Sequence, residues 1–449
     1  MADIAPLRPL RYAVADLSNV VSPPYDVISP SERLELMERS PHNVVRLILP
    51  EGDGDAKYAQ AAALLSAWRK EGALVRDEQA AFYRYDQSFA PPGGGQRRTR
   101  RGFLALVRVV PFQDRVVLPH ERTLSGPKED RLKLFRATRT NLSPGFMLYR
   151  DPKRVLDAPL ETGDVVSSFT TADGVEHRIA KVTAPDAIRT IVDHIGKSSL
   201  LIADGHHRYE TALHYSQEVD GAEGSAAKPY LPRPEHRYFM SFLCNGDDPD
   251  LVVFATHRLV HSLASFDWDD FLSRAGELFD VATQAGDLAA VEARLAEAGG
   301  SSNALLAIAR GKSGSGKGKN GAGQPRMALL TLRAGIDLDK HPTLGQRPRV
   351  VRRTDVAILH SGILEHLLGI SLDAQLKKTN LVYLQDPRQG IAQLESGEGQ
   401  VLFVMNPTPV AQVREVAEAG EVMPQKSTYF YPKVLTGLAL HTLDPHRAV

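Results

Sequence analysis

The densest group of chemically active residues lies at 199–213, between an apolar run and an amphipathic stretch. The apolar run 200–202 suits a buried strand, and apolar residues recur at helical spacing from Tyr209 onward. Residues 204–208, Asp-Gly-His-His-Arg, therefore fall where the predicted strand ends and the predicted helix begins. A strand, a loop and a helix start are the expected local structure.

This junction has the chemistry of an anion site. The first N–H groups of a helix and the positive end of its dipole attract anions, and Gly205 lets a ligand approach the backbone. Gly205, His206, His207 and Arg208 are therefore predicted to bind phosphate, with Asp204 as a candidate catalytic carboxylate. The alternative is that Asp204 only caps the helix and that the histidines and Arg208 are ordinary solvated surface.

A second dense motif is Met423-Pro-Gln-Lys-Ser-Thr-Tyr-Phe-Tyr-Pro-Lys433, whose prolines argue against a helix. Lys426 offers a point charge, and Ser427 and Thr428 offer hydroxyl donors suited to a phosphate or carboxylate. The alternative is a loop that Phe430 and Tyr431 pin to the core. These two interpretations stay open at the level of sequence.

Two further segments carry groups suited to catalysis. His120-Glu-Arg-Thr123 closes a predicted strand and supplies Glu121, the second candidate carboxylate. Tyr25 and Asp26 follow a pair of prolines. They either line a pocket for the acceptor or belong to a rigid turn that packs Tyr25 in the core.

Composition excludes several classes of protein. The 449 residues are too many for a single small module, and 54 basic residues balance 54 acidic ones, so no global charge indicates nucleic acid or an anionic membrane. The one cysteine, Cys244, cannot form an internal disulfide, and the N-terminus lacks a basic-then-apolar signal segment. With no apolar run long enough to span a membrane, we expect a cytoplasmic protein.

The first third of the chain alternates predicted helices and strands. Periodicity predicts helices at 31–38, with Ser29 as the cap, and at 58–72. It predicts strands at 44–49, 82–85 and 102–110, the last two as a hairpin-like pair. The basic residues between those two strands, Arg97, Arg98, Arg100 and Arg101, are expected to form a solvated loop.

The same reasoning predicts a helix from 128 to about 138, strands at 146–149, 177–182, 238–243, 251–254 and 402–406, and helices at 354–370 and 410–418. The fold class expected is α/β (α+β), with mixed sheets and flanking helices. Three segments are predicted: a catalytic core over 1–260, a smaller α/β subdomain over 261–400, and a C-terminal segment, 401–449, that returns to the active site.

A glycine-rich tract at 311–325 interrupts the smaller subdomain. It contains the formal spelling of a phosphate loop, Gly311 to Lys317. The residue that should follow the lysine and hold magnesium is Gly318, and the downstream sequence does not suit a helix. We therefore reject the phosphate loop and predict a disordered insertion.

Five ordered motifs resemble the family catalogued as domain of unknown function 1015. They are Ser22-Pro-Pro-Tyr-Asp-Val27, His120-Glu-Arg-Thr123, Ala203-Asp-Gly-His-His-Arg208, Thr256-His-Arg258 and Met423 to Lys433. The central motif is also distantly similar to the ParB and sulfiredoxin superfamily, whose members bind nucleotide phosphates at such a helix start. His206 stands where sulfiredoxin has its reactive cysteine, so sulfur chemistry is not expected.

This resemblance implies a ParB/sulfiredoxin-like phosphate-binding core and, by similarity to ParB-related free-serine kinases, a phosphotransferase. It implies transfer from a nucleotide or pyrophosphate to free L-serine, giving O-phosphoserine, with Mg²⁺. Glu121 or Asp204 would be the base, the other helping to hold Mg²⁺. The phosphate ligands would be Gly205, His206, His207, Arg208, Lys426, Ser427 and Thr428, and the acceptor pocket would comprise Tyr25, Asp26, His120 and Thr123.

Two other functions remain open. A metal-dependent hydrolase could gather His120, Glu121, His206, His207 and His257 around a transition metal, although no His-Glu-x-x-His spacing is present. An NTP-binding regulatory protein without catalysis is the third interpretation. The expected partners are a small-molecule substrate, no DNA and no membrane. A homodimer is left open.

Overall fold

The computed structural model describes residues 1–91, 95–121, 125–222, 232–311 and 323–449. Contacts between residues divide the chain into two compact units. The first unit comprises 1–119, 123–252 and 430–449, and the second comprises 120–122 and 253–429. The chain passes from the first unit to the second between residues 252 and 253. Residues 401–429 group with the second unit, and only 430–449 group with the first.

The strands of the first unit up to residue 245 are β1 Ile4–Ala5, β2 Leu10–Tyr12, β3 Leu74–Arg76, β4 Phe82–Phe89, β5 Arg98–Arg108, β6 Val117–Leu118, β7 Thr140–Asn141, β8 Gly145–Tyr149, β9 Asp164–Thr170, β10 Glu176–Val182, β11 Leu200–Asp204 and β12 Tyr238–Asn245. Within the described ranges they include a nine-stranded sheet in the order β6-β11-β8-β12-β5-β4-β10-β9, with β1 added to β5. The sheet is mixed, because β11 is parallel to β6 but antiparallel to β8.

The helices of this unit are α1 Pro30–Arg39, α2 Val45–Ile48, α3 Ala56–Lys70, α4 Ser125–Thr138, α5 Asp157–Glu161, α6 Pro185–Ile195 and α7 His206–Ala222, with 3₁₀ turns at Phe112–Asp114 and Glu235–Arg237. Side chains of α4, α6 and α7 share one core with the sheet, including Phe135, Ile191 and Tyr209 beside Phe103 and Phe239. This packing anchors the first turns of α7 to the sheet.

Strand β13, Val252–Phe254, carries the chain into the second unit. There the strands are β14 His257–Val260, β15 Phe279–Gln284, β16 Ala304–Gly311, β17 Gly323–Leu332, β18 Leu381–Leu384 and β19 Val401–Met405. Across the described part of this unit they form a six-stranded sheet, β15-β17-β16-β19-β14-β18, with antiparallel neighbours.

The helices of the second unit are α8 Trp268–Ala275, α9 Leu288–Gly299, α10 Asp355–Ala357, α11 Leu372–Lys377, α12 Pro387–Ser396 and α13 Val410–Glu418, with a 3₁₀ turn at Leu344–Gln346 and a π-helix at Ile358–Leu367. The chain then leaves through β20, Tyr429–Tyr431, and ends after β21, His441–Thr442. The predicted mixture of helices with mixed sheets is confirmed.

Several local predictions are confirmed by specific contacts. Ser29 caps α1, because its Oγ accepts a hydrogen bond from the N–H of Glu32 at 3.2 Å. Strands β4 and β5 form the predicted antiparallel pair. The helix predicted at 410–418 has those bounds.

The strand predicted at 44–49 is wrong, because this segment forms α2. The side chain of Asn43 accepts from the N–H of Val45 at 3.0 Å and donates to the carbonyl oxygens of Asn19 and Val21. These bonds favour a helical turn. A buried apolar run this short has no periodicity that separates a strand from a helix.

The single helix predicted at 354–370 is replaced by α10 followed by the π-helix. The wider winding is visible in the bond from the N–H of Leu368 to the oxygen of Ile363, five residues back, at 2.9 Å. The insertion predicted at 311–325 lies largely outside the described residues. Its ends are ordered in strands, at Gly311 in β16 and at 323–325 in β17.

The remaining predictions concern Cys244 and membrane-spanning segments. Cys244 is buried and its thiol is free of any disulfide. Among the described residues, no helix is long and apolar enough to cross a membrane.

Candidate functional site

The strand, loop and helix predicted around residue 204 are present. Strand β11 ends at Asp204, Gly205 has φ +90°, and α7 begins at His206. A Cβ on Gly205 would lie 3.0 Å from Nε and Cζ of Arg208. Glycine is therefore required here, because it adopts the positive φ and leaves room for the arginine to fold back.

Arg208 returns across this glycine to Asp204. Its Nη2 donates to Oδ2 of Asp204 at 3.0 Å, its Nη1 donates to the carbonyl oxygen of Pro144, and the residue is buried. Nζ of Lys433 lies 3.8 Å from the same Oδ2. Asp204 is therefore more than a helix cap, because two cations surround its carboxylate.

Arg100 brings a third cation to this part of the first unit. It is 0 % exposed on β5, and its guanidinium lies 4.7 Å from the ring centroid of Phe146, the β8 residue paired with Asp204. Its Nη2 donates to the side chain of Gln87 and to the carbonyl oxygen of Pro432. Burial lowers the pKa of Arg100 to about 10, an effect that the charge of Asp204 opposes.

The sequence-based prediction of a solvated basic loop is wrong for Arg100, although Arg97 and Arg98 are exposed. Strand alternation turns Arg100 inward. No partner for its Nε or Nη1 is present in the described ranges, although both atoms are buried. Asp204, Gly205, Arg208, Lys433 and Arg100 are called the Asp204 cluster below, and it contains three cations and one carboxylate.

His206 and His207 occupy the first turn of α7, as predicted. His206 is buried, whereas His207 is partly exposed and its carbonyl oxygen accepts a bond from Thr211 Oγ1 at 2.7 Å. The two neighbouring histidines therefore have different environments.

Tyr25 is half-buried in a turn closed by the bond from the N–H of Val27 to the oxygen of Pro24. The guanidinium of Arg131 lies 4.3 Å from its ring centroid. Burial raises the pKa of Tyr25, with a further increase from the charge of Asp26 and a decrease from that of Arg208. Tyr25 therefore keeps part of its surface exposed, and the charge of Arg208 acts on its hydroxyl group.

In the second unit, Glu121 is fixed by the second dense motif. Glu121 and Met423 form a parallel bridge, and the N–H of Met423 donates to the oxygen of His120 at 2.8 Å. The N–H of Ser427 donates to Oε1 of Glu121 at 2.8 Å, and Nε2 of His120 lies 3.0 Å from Oγ1 of Thr428. These residues, 120–121 and 427–428, are called the Glu121 cluster.

The hydroxyl groups predicted to bind phosphate are engaged within this cluster. Ser427 is buried and its Oγ donates to the oxygen of Pro424, while Thr428 bonds to His120. Ser427 therefore bonds to Glu121 through its backbone N–H and not through its hydroxyl group. Within the described residues Oε2 of Glu121 accepts no hydrogen bond, and 18 % of the side chain is exposed.

Lys426 is exposed and has φ +58°. Its carbonyl oxygen accepts a 3.0 Å bond from Nη2 of Arg258, a buried residue whose Nε donates to Nε2 of His360 at 3.2 Å. Lys378 lies near enough that the charge of Lys426, together with burial, lowers the pKa of Lys378. The segment therefore presents positive charge to solvent.

The described part of the chain contains no cluster of metal ligands of the kind that a metal-dependent hydrolase needs. No three His, Cys, Asp or Glu side chains there are close enough to hold a metal ion. His257 accepts a bond from the N–H of Met405 at 3.1 Å, and burial lowers its pKa to about 4. Thr123, predicted to bind the acceptor, lies outside the described residues.

A sequence model of the family described as "Protein of unknown function (DUF1015)" matches residues 4–356. The chain belongs to this family. Four of the five motifs lie within the matched range, and the motif from Met423 to Lys433 lies beyond its end. No curated protein matches the chain.

Some solved structures show a weak likeness. A mutant of a free serine kinase in complex with ADP is 12% identical with a TM-score of 0.35, covering 74% of this chain and 90% of that one. A conserved hypothetical protein from Pyrococcus furiosus is 14% identical with a TM-score of 0.33, covering 74% and 93%.

A C-terminally truncated SbnI from Staphylococcus aureus is 11% identical with a TM-score of 0.34, covering 74% and 85%. Likenesses this weak carry no argument about this family member. The function proposed below therefore rests on the geometry of this chain's own residues.

Proposed function

We propose that this chain is a phosphotransferase that binds the phosphates of a nucleotide or of pyrophosphate at the Asp204 cluster. The acceptor is the hydroxyl group of a small metabolite, with free L-serine as the first candidate because of the resemblance of the Asp-Gly-His-His-Arg motif. The observation that carries the proposal is Arg208, folded back across Gly205 onto Asp204 at the first turn of α7.

The charge balance of this cluster favours a phosphate ligand. Three cations and one carboxylate leave excess positive charge beside the N-terminus of a 17-residue helix. Arginine binds phosphate with a planar fork of donors, and two buried donors of Arg100 have no partner among the described residues. Because Arg100 is 0 % exposed, a phosphate would reach these two donors only if the side chains that cover them move.

Phosphoryl transfer to a hydroxyl also needs a carboxylate that orients or deprotonates the acceptor. We assign this role to Glu121, whose Oε1 is fixed by the N–H of Ser427 while Oε2 accepts no bond in the described ranges. Asp204 instead balances the cations around it. Joint action of the two carboxylates in one reaction is part of the proposal.

Mg²⁺ is also part of the proposal, because proteins bind this ion through one or two carboxylates together with substrate phosphates and water, although the one carboxylate of the Asp204 cluster is already paired with Arg208 and Lys433. Asp204 would hold the ion, which when bound neutralises phosphate charge. Tyr25, Asp26, His120 and Thr123 remain the proposed acceptor residues, and His206, His207 and Lys426 the proposed further phosphate ligands.

The experiment is to incubate the full chain with Mg²⁺, a panel of nucleotides or pyrophosphate, and L-serine or pooled hydroxy metabolites. Mass spectrometry then identifies phosphorylated products. We expect a product from at least one donor and loss of product in Arg208→Met, with Arg97→Met as the exposed control. Nucleotide binding without any product from any donor would instead favour a regulatory NTP-binding protein.

A further inference from the structure

The second unit contains a cavity of about 240 Å³ that the proposed reaction does not use. Its walls come from the π-helix, from α11, from Tyr383 on β18 and from residues 421–425. The volume lies just below the range of about 300–1,000 Å³ typical of pockets for drug-sized ligands. A molecule enclosed by these walls would therefore be smaller than a typical drug-sized ligand.

The polar side chains beneath the cavity are bonded to one another and to backbone oxygens, so every nitrogen of the buried Arg258 guanidinium already has a partner. Nε of Arg258 donates to Nε2 of His360, so the proton of this imidazole is on Nδ1, which donates to Oε1 of Gln375 at 2.8 Å. Burial and the charge of Arg258 lower the pKa of His360 to about 3. The imidazole is neutral at physiological pH.

The charge of Arg347 on the cavity wall is also balanced. Its Nη2 lies 2.7 Å from Oε2 of Glu365, and its Nε donates to Oγ of Ser361 at 2.9 Å. Glu421, the other charged residue of the wall, is partly exposed to water. A charged ligand would therefore find no buried, unpaired charge on the wall to offset its desolvation.

What the cavity offers is apolar surface with a few hydrogen-bonding groups. Leu372 and Leu376, one helical turn apart on α11, line it and are 41% and 39% exposed. Tyr383 lines it too, and its hydroxyl makes no hydrogen bond to any described residue. A π-helix in the wall is a further indication, because such helices are rare and frequently found at functional sites.

We propose that this cavity binds a small, uncharged molecule with an apolar body and one hydrogen-bonding group. The apolar body covers the two leucines, and the polar group pairs with the hydroxyl of Tyr383. The binding inference is independent of the proposed phosphotransfer.

Occupancy has a consequence for the neighbouring motif. The wall residues Met423, Pro424 and Gln425 lead directly to Ser427, whose N–H donates to Glu121. A ligand against this wall stabilises the segment that fixes Glu121. This consequence bears on catalysis only through the proposed function, whereas its effect on the backbone is measurable without any activity.

The experiment uses benzamide as the probe and benzoate as its charged counterpart of the same shape, measured by ligand-observed NMR titration of the full chain. We expect benzamide to bind and benzoate to bind more weakly. Leu376→Arg should lose binding, and Leu34→Arg, an exposed leucine on α1, should retain it. Tyr383→Phe should weaken binding about two- to tenfold, the loss of one neutral hydrogen bond.

Hydrogen exchange at residues 421–428 should slow when benzamide is bound, while exchange in α1 should not change. Equal binding to Leu376→Arg, or binding of benzoate as tight as that of benzamide, would overturn the proposal. A change in oligomeric mass caused by Leu376→Arg would also overturn it, because the leucines would then belong to an interface. None of these results depends on phosphorylated product, so the two proposals can fail separately.

Discussion

Arg208 Nη2 lies 3.0 Å from Asp204 Oδ2, and the residue between strand and helix that permits this contact is Gly205. The arginine is thereby held against the sheet at the first turn of α7. The same ion pair that stabilises the turn therefore also fixes the orientation of Arg208, the phosphate ligand proposed above.

Gly205→Ala tests this relationship directly. A non-glycine residue at positive φ costs about 1–3 kcal/mol, and the added methyl group meets the Arg208 guanidinium. We expect lower stability in urea unfolding and weaker nucleotide binding in a fluorescence titration. Gly174→Ala is the matched control, because Gly174 has φ +77° with nothing within 4 Å of its added Cβ. It should lower stability by a similar amount and leave binding unchanged.

Arg100→Met tests whether the buried guanidinium contacts phosphate. A hydrogen bond to a charged group contributes about 1.5–3 kcal/mol, so nucleotide affinity should fall by about one to two orders of magnitude. Pyrophosphate should raise the melting temperature of the wild-type chain and of Arg97→Met, whose exposed arginine pairs with Glu176, but not that of Arg100→Met. An unchanged thermal shift in Arg100→Met would remove Arg100 from the site.

Glu121→Gln tests the proposed base. The amide oxygen can still accept the N–H of Ser427, so the fold and nucleotide binding should be retained. Turnover should fall by about 10²–10⁴-fold, the usual contribution of a general base. Glu51→Gln, at a largely exposed carboxylate, is the control.

A double-mutant cycle with Asp204→Asn then asks whether the two carboxylates act in the same reaction. Groups that work as a unit give strongly non-additive losses. Additive losses would mean that Glu121 and Asp204 serve different steps.

The stability of the second unit should depend on pH because of its buried histidines. Burial lowers the pKa of His360 to about 3 and that of His257 to about 4. The unfolded chain therefore binds more protons than the folded chain between about pH 4 and 6.5, so stability falls as the pH decreases through that window. Each histidine contributes a slope of up to about 1.4 kcal/mol per pH unit.

Urea unfolding followed by the fluorescence of Trp268 in a Trp68→Phe background reports on this unit, because the chain has two tryptophans. His360→Gln should reduce the slope, and the exposed His214→Gln should not. If His360→Gln leaves the slope unchanged, the pKa of His360 is the same in the folded and the unfolded chain, and burial does not keep this histidine neutral.

Local sequence patterns were sufficient where neighbouring residues decide the structure. The apolar run ending at Asp204, the glycine and the amphipathic stretch after it predicted the strand, loop and helix of the candidate site. Ser29 and α13 were equally predictable, because a cap and helical periodicity are properties of adjacent residues.

Sequence patterns gave wrong predictions where contacts between residues far apart in the chain determine the structure. The segment at 44–49 is helical because the Asn43 side chain bonds to residues more than twenty positions earlier. The sequence pattern predicted that Arg100 belongs to a solvated basic loop. In the structure it lies against the ring of Phe146 and donates to the carbonyl oxygen of Pro432, a residue far away in the sequence. Lys433 belonged to a recognised motif, but only the fold shows that it lies beside Asp204.

By itself, therefore, the sequence determined the strand, glycine turn and helix start at Asp204 to Arg208, and it indicated Glu121 and the motif from Met423 as candidate site residues. The tertiary structure decided which charges surround each carboxylate: Arg208 and Lys433 at Asp204, and the N–H of Ser427 at Glu121. The physical reason is the distance along the chain over which each kind of interaction acts. Helix starts and glycine turns arise from neighbouring residues, whereas ion pairs and burial depend on contacts between residues far apart in the chain.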